Sequence, residues 1–126
     1  MSRKLFAIRG AVCADNTPES ITQATGDMCK KIFMLNNIKP EDIVSIQFTI
    51  TPDLDTLNPA AALRHGICAS DVLSCALFCA GEPVIKNMLP HAIRVMVNVY
   101  MDENTSVHHV YMRGAEVLRP DFAGDR

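Results

Sequence analysis

One segment, residues 91–100, constrains the fold of this chain more than any other. Its sequence, HAIRVMVNVY, is rich in β-branched and apolar residues and contains no breaker. Period-2 alternation predicts a strand whose one face is uniformly aliphatic and whose other face is mixed and carries Arg94. A guanidinium cannot lose its proton, so Arg94 on a half-buried strand needs an anionic partner. An internal ion pair and an anion-binding site remain equally open at this point.

Length and composition indicate one domain spanning residues 1–126. The chain is 48% hydrophobic with no tryptophan and two tyrosines, which predicts an aliphatic, methionine-rich core. A net charge of −2 gives no global sign of nucleic-acid or membrane binding, so any anion site must be local. No apolar run approaches membrane-spanning length, no secretory signal opens the chain, and five cysteines are an odd number. We therefore expect a reduced, cytoplasmic protein.

Local signals predict two helices and five strands. Thr17 caps an amphipathic helix that ends near residues 36–37, and Asn58 caps a short helix that Gly66 closes. The strands are expected at residues 4–9 (stopped by Gly10), 43–49, 71–79 (a strand or a buried segment), 91–100 and 107–112. A helical turn is expected at 84–88 and a C-terminal tail from 114. Strands separated by helices indicate an α/β or α+β sheet domain.

Few residues suggest chemistry by themselves. Five arginines lie near element ends or in a strand: Arg9, Arg64, Arg94, Arg113 and Arg119. Several of them converging would favour a small polyanion, although each alone is more typical of a paired surface residue. Cys75 and Cys79 are too far apart on a strand for one zinc ion, and no second pair follows, so packed thiols are the preferred interpretation. No nucleophile with a base, phosphate loop or dinucleotide motif is present, which favours a reaction driven by positioning and electrostatics.

Seven short motifs extend from Arg9 to about Phe122. In chain order they are Ile8-Arg9-Gly10-Ala11, Thr51-Pro52-Asp53-Leu54, Pro59-Ala60-x-Ala62-x-Arg64, Cys79-x-x-Glu82, Ile93-Arg94-Val95-Met96, His109-Val110-Tyr111 and Val117-Leu118-Arg119-Pro120-Asp121. In order and approximate spacing the chain resembles the AroH-class monofunctional chorismate mutases.

The resemblance implies an α+β fold, a five-stranded mixed sheet flanked by helices. It further implies a homotrimer, a pseudo-α/β barrel with active sites between subunits. The implied reaction is the Claisen rearrangement of chorismate to prephenate on the route to phenylalanine and tyrosine, without a cofactor or metal. The expected partners are the small dicarboxylate substrate and two further copies of the chain, with no nucleic acid and no membrane.

The resemblance also implies roles for particular residues. Arg94 and Glu82 would be catalytic: Arg94 donates to the ether oxygen of the breaking C–O bond, and Glu82 accepts from the ring hydroxyl. The other implied residues bind substrate. They are Arg9 at a carboxylate, Arg64 from a neighbouring subunit, Cys79 beside Glu82, Tyr111 near the pyruvyl carboxylate, and Leu118 and Arg119 in a mobile tail, about residues 115–126, that closes over the site.

Two departures from the family pattern keep alternatives open. Asn58 stands where the family has an aromatic lining residue, and Ala61 stands where it has a lysine. Losing that cation predicts weaker affinity for chorismate or slower association. One alternative is a non-catalytic trimeric metabolite-binding protein. The other is an enamine/imine deaminase of the YjgF/RidA type, whose C-terminal arginine-proline-glutamate pattern is missing here.

Overall fold

A computed structural model describes residues 2–123, with side chains described up to residue 121. Its strands are β1 (Arg3–Cys13), β2 (Ile43–Ile50), β3 (Ala76–Gly81), β4 (Ala92–Asp102) and β5 (Val110–Met112). Its helices are α1 (Pro18–Leu35), α2 (Pro59–His65) and α3 (Pro120–Ala123), and 3-10 turns cover Pro40–Asp42, Ala69–Val72 and Ala115–Leu118.

The five strands form one mixed sheet in the order β3-β2-β4-β1-β5. The central strand β4 is antiparallel to both β1 and β2, whereas β5 runs parallel to β1 and β3 runs parallel to β2. This confirms the α+β fold with a five-stranded mixed sheet.

Both main helices begin where the capping signals predict. The Thr17 hydroxyl accepts from the Ser20 amide at 3.1 Å at the start of α1, and the Asn58 side chain accepts from the Ala60 amide at 2.8 Å at the start of α2. At the other end of α1 the buried Asn36 side chain accepts from the His108 amide at 2.8 Å. This contact ties the helix to the loop that precedes β5.

The two faces of the sheet have different environments. Helices α1 and α2 cover one face, and the four aliphatic residues of β4 are buried there as the alternation predicts: Ile93, Val95, Val97 and Val99. The opposite face is here called the open face. Strand alternation and pairing place on it Leu5, Ala7, Arg9, Gln47, Thr49, Phe78, Arg94, Met96, Asn98 and Tyr100. Among the described residues, Leu89 and the turn Ala115–Leu118 pack on this side, against Ala11 and Tyr111.

Several predicted boundaries are wrong. Strand β1 passes through Gly10 because the missing side chain lets Ile32 of α1 approach the sheet. Residues 71–79, expected as a strand or a buried segment, are divided between a 3-10 turn in which Val72 is buried and the start of β3. Residues 84–88 form no helical turn but an open chain with one turn, where the Met88 amide donates to the Ile85 carbonyl at 3.0 Å. Asn87 there has a left-handed φ of 66°, which prevents a helix.

The two remaining differences lie near the C-terminus. Strand β5 covers only three residues, because residues 107–109 approach the sheet as a loop. The segment after it begins with an ordered turn in which Ala115 is completely buried. In the part of the chain that the structure describes, no helix is both long and apolar enough to cross a bilayer.

Candidate active site

A cleft of about 450 Å³ lies on the open face, between β1, β2, β4 and the segment that follows β3. Its polar lining includes Arg9, Thr49, Glu82, Arg94 and Tyr111. Its charged lining residues are therefore two guanidinium groups and one carboxylate, an excess of positive charge in a chain whose net charge is −2. The cleft suits a small anion with more than one acidic group.

Strand pairing brings four of the lining elements into one row. Arg94 of β4 is paired with Thr49 of β2 on one side and with Ala11 of β1 on the other, and Ala11 is paired with Tyr111 of β5. Neighbouring strands are about 4.8 Å apart, so the side chains of this row stand next to each other on the open face. Arg9 lies in the adjacent row, paired with Met96.

Glu82 enters the cleft because it continues the ladder of β3, with its amide donating to the Ile50 carbonyl at 2.8 Å. Its Oε2 accepts a hydrogen bond from the Thr49 hydroxyl at 2.6 Å, and its Oε1 lies 3.6 Å from Nη1 of Arg94. The second distance is within range of an ion pair but too long for a good hydrogen bond.

The Arg94 guanidinium is therefore both paired and accessible. Its side chain is 49% exposed, whereas that of Glu82 is 15% exposed. Solvent screens such a half-exposed pair, and the 3.6 Å separation leaves the guanidinium N–H groups free of a close carboxylate contact. The two possibilities left open by the sequence thus coexist: an internal ion pair and a cation that faces a cleft.

A hydrogen bond and side-chain packing fix β1 and β5 where they border the cleft. The Arg9 amide donates to Nδ1 of His109 at 2.9 Å, which joins β1 to the loop before β5. Tyr111 is buried together with Ala11 and Ala115, and Leu118 packs against this group. The turn Ala115–Leu118 therefore borders the cleft at Tyr111. This turn lies at the start of the segment that the sequence predicts as a C-terminal tail.

Four predicted substrate-binding residues do not line the cleft of a single chain: Arg64, Cys79, Leu118 and Arg119. Arg64 is exposed in the last turn of α2, on the helix-covered side of the sheet. Arg119 makes two hydrogen bonds to Asp121, at 3.1 and 2.8 Å. Cys79 is paired with the buried Phe48 and packs with the core, and this burial raises the pKa of its thiol. The Cys79 side chain therefore points away from the open face.

A hydrogen-bonded loop anchors the start of β4, two residues before Arg94. The Thr51 hydroxyl accepts from the Ala92 amide at 3.0 Å and donates to the Asp53 carboxylate. That carboxylate also accepts from the His91 amide at 3.0 Å. Desolvation acts to raise the pKa of Asp53, but the hydrogen bonds from Thr51 and His91 outweigh it, so its pKa lies below the usual value.

Thr49 and Gln47 are polar residues of the cleft that the sequence-based prediction missed. A threonine on a strand is unremarkable, and the only available signal was its place on the polar face of the second strand, with Ser45 and Gln47. Within residues 2–123, no group of three or more metal-ligating side chains is arranged to hold a metal ion.

Comparison with known proteins gives consistent results. Residues 5–122 match the family model described as chorismate mutase type I. The chain is 36% identical to chorismate mutase AroH of Bacillus subtilis (strain 168) over 118 residues, which cover 92% of this chain and 91% of that protein. It is 38% identical to chorismate mutase AroH of Thermus thermophilus over 119 residues, covering 91% and 93%.

A solved structure agrees with these sequence matches. It is a chorismate mutase from Clostridium thermocellum, which superposes with a TM-score of 0.81 at 38% identity. The superposition covers 89% of this chain and 98% of that one.

Proposed function

This chain belongs to the type I chorismate mutase family, and we propose how its cleft performs the reaction of that family. The protein is an isomerase that converts chorismate to prephenate in aromatic amino-acid biosynthesis. The comparisons do not favour the two alternatives, a deaminase or a non-catalytic binding protein. The family match over residues 5–122 supports a single chorismate mutase domain.

The chemistry needs a fixed cation more than it needs an acid or a base. In the Claisen rearrangement one C–O bond breaks while one C–C bond forms, and no proton is transferred. Negative charge develops on the ether oxygen, so a guanidinium in the cleft stabilises the transition state more than the ground state. Arg94 has this role, and the observation that carries it is a half-exposed guanidinium 3.6 Å from its only charged partner within the described residues.

The other lining residues hold the substrate in its reactive conformation. Arg9 binds one carboxylate of chorismate, and Tyr111 lies near the second, at the pyruvyl group. Glu82 accepts a hydrogen bond from the ring hydroxyl. Holding the flexible enolpyruvyl chain over the ring lowers the reaction barrier, because the loss of its rotational freedom has already been offset by binding. The support is that all these side chains and Arg94 line one cleft.

The active form is a homotrimer in which neighbouring copies complete each cleft. The support is the open face, where three large apolar side chains are exposed: Leu5, Phe78 and Tyr100. Apolar side chains gathered on one sheet face are typical of an interface. In this assembly Arg64 reaches the cleft from a neighbour, and Leu118 and Arg119 close it from the tail. Because the Cys79 side chain packs with the core, Cys79 contributes beside Glu82 only through its backbone.

The location is cytoplasmic. All five cysteines are free thiols, which suits a reducing compartment.

Loss of the ultraviolet absorbance of chorismate, with acid conversion of the product to phenylpyruvate, tests this proposal. Arg94→Ala is expected to lower kcat by about three orders of magnitude, because the developing charge loses its main donor. Arg113→Ala is the matched control, since Arg113 pairs with Asp27 of α1 outside the cleft. Near-wild-type turnover by Arg94→Ala, in a protein shown to be a folded trimer, would contradict the role of Arg94.

A further inference from the structure

Thr49 is an uncharged residue that lies between Glu82 and Arg94, two of the three charged groups of the cleft. It is paired with Arg94 across β2 and β4, and with Ala80 across β2 and β3, one residue before the end of that strand. Glu82 follows, and its Oε2 accepts from the Thr49 hydroxyl at 2.6 Å. Thr49 is therefore the neighbour of Arg94 in the sheet, and its side chain also contacts the Glu82 carboxylate.

The Thr49 hydroxyl is hydrogen-bonded to one of the two carboxylate oxygens of Glu82. Oε2 is bonded to Thr49, and only Oε1 is near Arg94, at 3.6 Å. A charge-assisted hydrogen bond between a guanidinium and a carboxylate closes to about 2.8 Å when nothing opposes it. Within the described residues, Thr49 and Arg94 are the side chains that contact the Glu82 carboxylate. Without the Thr49 hydroxyl, Arg94 would be its remaining partner.

A closer pair would interfere with the reaction. A bidentate contact to Glu82 would use the N–H groups that the ether oxygen needs, and it would neutralise the positive charge that stabilises the transition state. It would also turn the carboxylate away from the ring hydroxyl. The distance between Glu82 and Arg94 is therefore a functional variable, and the Thr49 hydroxyl is the group in position to set it.

We propose that Thr49 is a positioning residue that holds Glu82 back from Arg94, so that the guanidinium stays available to the substrate. This inference rests on the function proposed for the cleft.

Thr49→Val is the direct test, because it removes the hydroxyl and keeps the β-branched shape on the strand. We expect kcat to fall by roughly tenfold to a hundredfold, the range for a hydrogen bond to a charged group, while KM changes much less. Thr49→Ser keeps the donor and should stay close to wild type. Thr25→Val is the matched control, since it makes the same replacement on α1, outside the cleft.

A double-variant cycle separates positioning from a structural effect. In the Glu82→Gln background the carboxylate that Thr49 restrains is absent, so adding Thr49→Val should have little further effect. A purely structural role of Thr49 would lower turnover by the same factor in both backgrounds. If these variants turn over too slowly, binding of a dicarboxylate transition-state analogue, measured by calorimetry, supplies the same cycle.

The outcomes distinguish this inference from the function on which it rests. An active wild-type enzyme whose Thr49→Val variant keeps its kcat would overturn the role of Thr49 alone. So would equal losses in both backgrounds, or a Thr49→Ser variant as impaired as Thr49→Val. A folded wild-type protein with no turnover would instead overturn the proposed function, and the inference with it.

Discussion

Gly10 of β1 and Ile32 of α1 approach each other too closely for any side chain to fit between them. A Cβ at Gly10 would lie 2.9 Å from Cδ1 of Ile32 and 3.0 Å from the carbonyl oxygen of Val110. The isoleucine can shift slightly, but the carbonyl belongs to the backbone of β5. The glycine therefore lets α1 pack on the sheet next to Arg9, a residue of the cleft.

Gly10→Ala should lower the free energy of unfolding by about 1–3 kcal/mol, the usual cost of overpacking a core. Urea unfolding measures it. Gly81→Ala is the matched control, since a Cβ there would meet nothing within 4 Å, and it should be close to neutral. Equal effects of the two substitutions would show that packing against Ile32 is not the reason for the glycine.

Thr25→Val should stabilise the protein. Thr25 is completely buried in α1, and its Oγ1 has no hydrogen-bond partner among the described residues. Replacing an unsatisfied hydroxyl by a methyl group of similar shape should raise the free energy of unfolding by about 1 kcal/mol. Thermal unfolding measures the change. Thr17→Ala, on the same helix, removes the N-cap and should lower stability by about 1 kcal/mol. A lower melting temperature for Thr25→Val would mean that the hydroxyl is satisfied in solution.

Asp53→Asn should change how stability depends on pH. Because the pKa of Asp53 is lower in the folded protein than the unfolded value of about 3.9, its contribution is complete above that value. The contribution is lost as the pH falls through the folded-state pKa. The variant should therefore be less stable than wild type at neutral pH, and the difference should shrink below about pH 4. Denaturant midpoints at several pH values would check this, and a difference that grows on acidification would contradict it.

Tyr100→Glu should prevent assembly. Tyr100 is 45% exposed on the open face of the central strand and does not line the cleft. A carboxylate buried at an interface without a partner is costly, so the variant should sediment as a monomer and lose activity. Met34→Glu is the control, because Met34 is 66% exposed on α1, which covers the other face. A trimer that persists in Tyr100→Glu would exclude the open face as the interface.

The elements predicted well are those whose signal is local. Thr17 and Asn58 mark their helices because a capping side chain needs only the next turn of backbone. The alternation around Arg94 predicts β4 because one short segment of sequence determines which residues lie on each face of a strand. The errors occurred where distant contacts decide: Gly10 was expected to end a strand, but Ile32 from α1 gives it a place inside one. Likewise Val72 is buried in a turn, not in a strand.

The site follows the same division. Arg94 stands out because a charge interrupts an apolar strand, and Glu82 was reached only through the family resemblance. Thr49 carries no signal of its own in the sequence. Its role depends on two strand pairings: β2 with β4 places it beside Arg94, and β2 with β3 brings the chain that follows β3, with Glu82, next to it. Cys79 was placed at the site by the family resemblance, whereas the pleat of β3 turns its side chain towards the core.

The chain has no tryptophan, and its two tyrosines, Tyr100 and Tyr111, stand on the same side of the sheet. One is exposed on the central strand, and the other is sealed beneath the Ala115–Leu118 turn at the edge of the cleft. Intrinsic fluorescence excited in the tyrosine band therefore originates entirely from this side of the molecule. Association of subunits and occupation of the cleft can thus both be followed optically, without any label.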